Sequence, residues 1–309
     1  MREFKIDFNK ALKPVLIVYI ALFLVGTIIA AIWGVQLDIN FVGGTKISYA
    51  YTGEIADKDI KEVADKALEA KYSISKSTAL AGDTQTFEIA LSGKNSISAE
   101  KQEKLTAALE EKFKDNKIEL YNFNSVSPTI AGTFFLKSMV AVLITAVLVI
   151  IYVGFRFRKI GGISAGLTAF AALIFDVLVT FFICVIFRLQ IDSNYIAVVL
   201  TMLGYSLNDT IVIYDRVREN EKFNPQMEIG ELLNLSVNKV MIRNIVTTAT
   251  TLLAVTTIIV VSEIYGLTSL RTFAIPMVFG LLSGAVSSLF VSGPLWVIWK
   301  RRRIAKGKK

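Results

Sequence analysis

Asp209 stands in the run Gly204-Tyr205-Ser206-Leu207-Asn208-Asp209-Thr210-Ile211-Val212-Ile213-Tyr214-Asp215-Arg216, close to one end of an otherwise apolar stretch. A carboxylate at membrane depth is costly, so it faces protein or a water path and often marks ion or proton traffic. Asp209 lies six residues before the Asp215-Arg216 pair, which is roughly 9 Å of helix. Arg243 opens the next apolar stretch from the same side. Two consecutive spans run antiparallel, so the two groups reach similar depth. A nearby cation favours the carboxylate, and burial favours the protonated acid. The chemistry this permits is reversible protonation, tuned by hydration or by the Asp–Arg distance. The plainer alternative is a static ion pair that fixes helix packing.

A second carboxylate, Asp176, sits mid-span in Ile174-Phe175-Asp176-Val177-Leu178-Val179-Thr180. It could be a second proton site or an acceptor for hydroxyls on a neighbouring helix, and the lack of an evident basic partner favours the latter. After Arg243, residues Thr247, Thr250, Ala254 and Thr257 fall on one helical face. Those hydroxyls could line a hydrated path beside Asp209, or bond the carbonyls of their own helix. Gly280, Gly284 and Ser288 recur at four-residue steps, with Ser283 and Ser287 beside them, a spacing that lets helices approach closely. Gly161, Gly162 and Gly166 suggest the same.

The 309 residues contain no histidine, which removes His nucleophilic catalysis, His metal ligands and a His shuttle. The single cysteine, Cys184, lies in an apolar run and reads as a small buried hydrophobe. The pI is about 9.4 and the net charge +8, yet residues 35–133 hold 12 Lys+Arg against 15 Asp+Glu. The basic excess therefore belongs to the apolar part and argues for a membrane rather than nucleic acid.

Mean hydropathy is +0.55, and several runs reach the roughly 20 residues a membrane helix needs. Six spans are expected, at about 14–34, 135–155, 163–187, 195–215, 244–262 and 273–299. The first is read as a retained anchor, since its apolar core is too long for a signal peptide. Loop Lys and Arg residues place both termini in the cytoplasm and 35–133 outside. The chain thus divides into a cytoplasmic start and first span (1–34), an extracytoplasmic domain (35–133), a five-helix bundle (134–300) and a basic tail (301–309). Within the bundle, 216–242 is expected to include a short interfacial helix. In the outer domain, strands at Lys46–Tyr51, Ile74–Leu80, Thr84–Leu91 and Ile118–Val126 alternate with helices Asp57–Lys71 and Ser98–Phe113. Ser98 is the expected N-cap, and Ala81-Gly82-Asp83 the hairpin turn. This βαββαβ order predicts a ferredoxin-like sheet with both helices on one face. Gly43 and Gly44 permit a tight turn from the first span into it.

With these elements in place, the chain resembles the SecF branch of the SecD/SecF protein-export family, within the RND (resistance-nodulation-division) superfamily. The segment Asp38-Ile-Asn-Phe-Val-Gly43-Gly44-Thr45 resembles the family signature after the first span. Tyr205 to Asn220, including Asn208 and Thr210, resembles its most diagnostic segment. Leu233–Asn238, Arg243, Thr250–Val255 and the small residues of the last span continue in order. Phe175 stands where the family often has His. The resemblance implies a polytopic α-helical membrane protein, an RND-type half of six helices with one ferredoxin-like extracytoplasmic domain. It implies a non-enzymatic subunit in the bacterial cytoplasmic membrane that pairs with SecD and works after the SecYEG channel and the SecA ATPase. It would use the proton-motive force to pull preproteins outward. The family's intramembrane aspartate and arginine fall on Asp209 and Arg243, and its third-span aspartate on Asp176. No cofactor or metal is implied beyond the ion gradient, with sodium as the alternative to protons. Membrane lipid is the surrounding partner and nucleic acid is not one. The rivals are a half-transporter for a small solute and a purely structural assembly subunit.

Overall fold

The computed structural model describes residues 6–68, 72–78, 84–93, 97 and 99–307. Helix α1 (Phe8–Trp33) leads through a short helix α2 (Ile39–Val42) into a small domain. That domain runs β1 (Gly44–Thr52), α3 (Asp57–Ala67), β2 (Ser73–Thr78), β3 (Thr84–Ser92), α4 (Ala99–Lys112) and β4 (Glu119–Val126). Long helices follow: α5 (Pro128–Arg156), α6 (Gly162–Ile186), α7 (Ser193–Phe223), α8 (Ile229–Tyr265), α9 (Thr268–Ser287) and α10 (Gly293–Gly307). A single wide π turn, Ser288–Ser292, joins α9 to α10 as one continuous rod. Among the described residues six helices are long and apolar enough to cross a membrane, the last being Ser269–Lys306.

The small domain takes the expected form. Its antiparallel sheet has the order β2-β3-β1-β4. Alternate residues Ile47, Tyr49, Tyr51, Phe87, Ile89 and Leu91 pack on one face against Ile60, Val63 and Ala64 of α3 and Leu105 and Leu109 of α4. The period-two burial of β1 is the alternation visible in its sequence. The expected Ala81-Gly82-Asp83 turn and the Ser98 cap lie outside the described residues, as do residues 79 and 80 of the second expected strand.

The entry into the domain is tightly built. Asp38 caps α2 by accepting from the Asn40 amide at 3.0 Å, and it receives the Lys46 ammonium at 2.8 Å. Lys46 also reaches Glu88 at 2.8 Å and Gln190 at 3.3 Å, so it ties β1 and β3 to the α6–α7 loop. Burial would lower the Lys46 pKa, but Glu88 and Asp38 outweigh it and raise it. Gly43 has φ +79°, and a Cβ there would lie 2.7 Å from the Pro128 backbone, so the turn requires glycine on both counts. Thr45 is buried and shares a hydrogen bond with Ser125 at 3.2 Å.

Two expected boundaries change. Helix α1 begins at Phe8 and runs through Pro14, because Phe8 and Leu12 are buried in the bundle and Asn234 of α8 holds the Phe8 amide. The stretch 216–242 holds no separate interfacial helix. Instead α7 continues to Phe223, the chain breaks around Pro225, and α8 runs unbroken from Ile229 into the span. No Pro or Gly interrupts it between Glu231 and Tyr265. Its Leu232, Leu233, Val237 and Met241 are buried among Val217 and Trp296 instead of lying on an interface. Glu228 caps α8 through the Gly230 and Glu231 amides, and Gly266 closes it in the left-handed conformation.

Candidate ion-coupling site in the membrane helices

Helices α7 and α8 are held in register by Tyr205. Its hydroxyl donates to the Thr247 carbonyl at 3.0 Å and shares a hydrogen bond with Thr251 at 2.9 Å. Asp209 lies one turn beyond Tyr205 and Arg243 one turn before Thr247, so the register sets both at the same level of the bundle. Asp209 is 2% exposed, and its Oδ2 has no hydrogen-bond partner. Arg243 is near enough to act on it electrostatically, but no ion pair or hydrogen bond joins them among the described residues. Of the two readings, the static ion pair is absent among the described residues: Asp209 is buried, while Arg243 is exposed on the outer surface of α8.

Beside Arg243, α8 buries two residues the sequence reading passed over. Both side-chain polar atoms of Asn244 and the Thr248 hydroxyl are buried without a partner. Buried polar groups are almost always paired, so orphaned ones call for an explanation. These lie one turn apart on the buried face of α8, beside the Tyr205–Thr247 contact with α7. The signal was available as an i, i+4 polar pair, but it was hidden beside the more conspicuous run of threonines.

That run is placed differently from the expectation. Thr247 is half-buried, Thr250 and Thr257 are exposed, and each donates back to its own helix: to Arg243 O at 2.8 Å, Thr247 O at 2.9 Å and Leu253 O at 3.0 Å. The threonine face thus lies outside the bundle rather than along an internal path. On α7, Thr201, Gly204 and Asn208 are exposed too, while Thr210 is buried. Thr201 and Asn208 with Arg243, Thr250 and Thr257 form an exposed polar seam on a surface otherwise rich in exposed apolar side chains. A seam of this kind in a membrane helix suits a protein partner better than lipid.

Asp176 is 1% exposed and lies in a cradle of serines. Ser206 and Ser287 donate to its Oδ2 at 2.6 and 2.8 Å, and Ser283 donates to Oδ1 at 2.6 Å. These come from α7 and α9, so the aspartate ties three helices together. The glycines beside them make this possible: a Cβ on Gly284 would sit 3.1 Å from Ser206 Cβ, and one on Gly280 would sit 2.9 Å from Met202 Sδ. Phe175 points away, against Tyr19 and Phe23 of α1. Among the described residues no hydrogen bond joins Asp176 to Asp209, although Ser206, which donates to Asp176, lies one turn before Asp209 on α7. Asp38, Gly43, Gly44 and Thr45 form the domain entry, far along the chain from either. Among the described residues no group of three or more Asp, Glu or Cys side chains could hold a metal.

Comparison with known proteins gives this arrangement a family context. Residues 104–302 match the family model for protein export membrane protein SecD/SecF, C-terminal. Protein translocase subunit SecF of Sebaldella termitidis is 34% identical over 282 residues, 89% of this chain and 85% of that one. Protein translocase subunit SecDF of Bacillus subtilis is 31% identical over 98% of this chain, but the match spans only 39% of its length. The crystal structure of SecDF from Thermus thermophilus, described as a translocon-associated membrane protein, superposes with a TM-score of 0.80 at 26% identity, covering 97% of this chain and 39% of that one. The chain therefore spans about two fifths of the fused SecDF chains it matches.

Proposed function

The chain belongs to the SecD/SecF family of protein-export membrane proteins, and on that premise we propose that it is a non-enzymatic subunit that couples an ion gradient to late preprotein translocation. The multi-pass membrane fold and the family are the ground. The observation that carries the coupling is the buried Asp209 carboxylate with an unpartnered oxygen, on a helix pair that also buries the orphaned polar atoms of Asn244 and Thr248. A carboxylate without a fixed partner can change protonation without breaking a packed network. The Asp176 carboxylate, already engaged by three hydroxyls, is held for structure.

In this reading Asp209 binds and releases a proton, and Arg243 tunes it from the surface. One charge moved across about 100 mV yields roughly 2.3 kcal/mol, enough to bias a domain movement or prevent backsliding of a chain. Sodium is the alternative coupling ion. The polar seam of α7 and α8 takes a second RND-type half, supplied by a SecD subunit, and the fused SecDF relatives support this because they carry additional chain beyond the matched part. Loop basic residues place both termini in the cytoplasm of the bacterial cell and the sheet domain outside. SecYEG, SecA and the preprotein are then the functional partners.

The test is Asp209→Asn in membranes containing SecD, SecYEG and SecA, with preprotein completion followed with and without a proton gradient. The expected outcome is an assembled complex whose completion rate no longer responds to the gradient. A normal response would refute the coupling role and leave Asp209 as a packing residue.

A further inference from the structure

The turn between α5 and α6 and the second half of α10 border a cavity of about 360 Å³, remote in sequence from Asp209 and Arg243. Arg158, Lys159, Lys300 and Arg303 line it, and no carboxylate does. Several other basic groups at this end of the bundle are matched. Arg156 and Arg218 share Asp215, Arg216 takes Glu219, and Arg301 takes Glu228. Lys300 is half-engaged, bonding Glu221 at 2.8 Å. Among the described residues Arg158, Lys159 and Arg303 have no acidic partner, so like charges converge on one hollow without compensation.

The hollow is built rather than incidental. The Trp296 indole donates to the Ile160 carbonyl at 3.3 Å, and Phe157 and Ile160 are fully buried, which fixes the turn against α10. Arg158 lies over the Phe155 ring at 4.7 Å, at the margin of the apolar surface. Trp299 and Ile304 form the rest of the rim, 45% and 50% exposed, and Phe155 is 69% exposed. Exposed cations beside exposed apolar side chains match a ligand that is anionic at one end and greasy at the other. Guanidinium forks pair with phosphate oxygens in a bidentate manner, and basic pockets between membrane helices suit lipid head groups.

We propose that this cavity binds the phosphodiester head group of an anionic membrane phospholipid, with the acyl chains lying along Phe155, Trp299 and Ile304. A free phosphate shares the head-group chemistry, and the apolar rim selects the lipid.

Native mass spectrometry of the purified full chain in detergent, titrated with phosphatidylglycerol or phosphatidylcholine, tests it. Phosphatidylglycerol is expected to be retained selectively. Arg158→Gln/Lys159→Gln/Arg303→Gln should weaken its retention at least about tenfold. Lys222→Gln/Arg302→Gln/Lys306→Gln, with the same loss of charge outside the cavity, should leave it unchanged. Arg303→Gln alone, at an exposed position, should give a smaller loss in the same direction and guards against misfolding of the triple variant. Equal retention of phosphatidylcholine, or equal loss in the control triple, would overturn the site. Displacement of the lipid by millimolar inorganic phosphate would overturn the lipid assignment in favour of a phosphate-ion site.

Discussion

Tyr205 and Thr247 meet through a hydroxyl-to-carbonyl hydrogen bond of 3.0 Å, one turn from Asp209 on α7 and one turn from Arg243 on α8. This bond sets the level of the two charged groups without touching either. It leaves Asp209 free of the packed polar network and places the orphaned atoms of Asn244 and Thr248 on the same helix pair.

Replacing Asn244 by leucine separates stability from coupling. Its amide is buried and unpaired, so an apolar side chain of similar size should cost little or even stabilise. Thermal unfolding in detergent should therefore be unchanged or raised. If the orphaned polar atoms serve ion transfer, gradient-stimulated preprotein completion should fall several-fold. Unchanged stimulation would show that Asn244 has no part in it.

Asp176→Ala should act in the opposite way. It leaves the Ser206 hydroxyl without a partner, removes one bond each from Ser283 and Ser287, and loosens the contacts among α6, α7 and α9, at a cost of about 3 kcal/mol or more. Asp176→Asn keeps one acceptor oxygen and should recover part of the loss. For a structural aspartate, the ratio of gradient-driven to basal completion should stay constant in whatever protein remains folded. A collapsed ratio with intact folding would assign Asp176 to coupling.

The glycines divide by what surrounds them. A Cβ on Gly162 would lie 2.1 Å from the Gly154 carbonyl oxygen, a backbone atom with nowhere to go. Gly162→Ala should push α5 from α6 and destabilise by about 2 kcal/mol or more. Gly132, within α5, has nothing within 4 Å of that position, so Gly132→Ala should stabilise by up to about 1 kcal/mol. Melting temperatures of the two variants should move in opposite directions.

Glu228 gives a pH-dependent test. Burial alone would raise its pKa, but the Arg301 ion pair and the two amide bonds at the start of α8 bring it below its ordinary 4.5. A depressed carboxylate contributes stability above its unfolded value, and that contribution fades as pH falls through the folded one. Glu228→Ala should cost about 1 kcal/mol at neutral pH, with the gap to the native protein closing as the medium is acidified below 4.5. A gap that persists in acid would mean that Glu228 acts through packing.

The sequence made the spans, the strand order and the burial of Asp209 legible because each follows from local periodicity and from the cost of a charge in an apolar run. Partnerships between helices were not. Ser206, Ser283 and Ser287 are recognisable as small residues on helix faces, but which face meets Asp176 depends on how three helices cross. Residue spacing gives Arg243 the depth of Asp209 and not its direction; its rotation about the α8 axis, which sends it outward, is fixed by the Tyr205 contact and by the burial of Asn244 beside it. Helix α8 absorbed the expected linker because packing against Val217 and Trp296 rewards an amphipathic stretch for staying helical.

The π turn at Ser288–Ser292 makes the last helix one residue longer than an α-helical path between the same two ends. One residue corresponds to about 100° of rotation. Ser283 and Ser287, which hold Asp176, precede the turn; Trp296, which braces Ile160, and Lys300 follow it. The turn therefore works as a phase shifter between two halves of one rod, setting which side chains each half presents to α6 and α7. A deletion of one residue there would leave every side chain chemically intact and turn the lower half away from its partners, a lesion of phase rather than of composition.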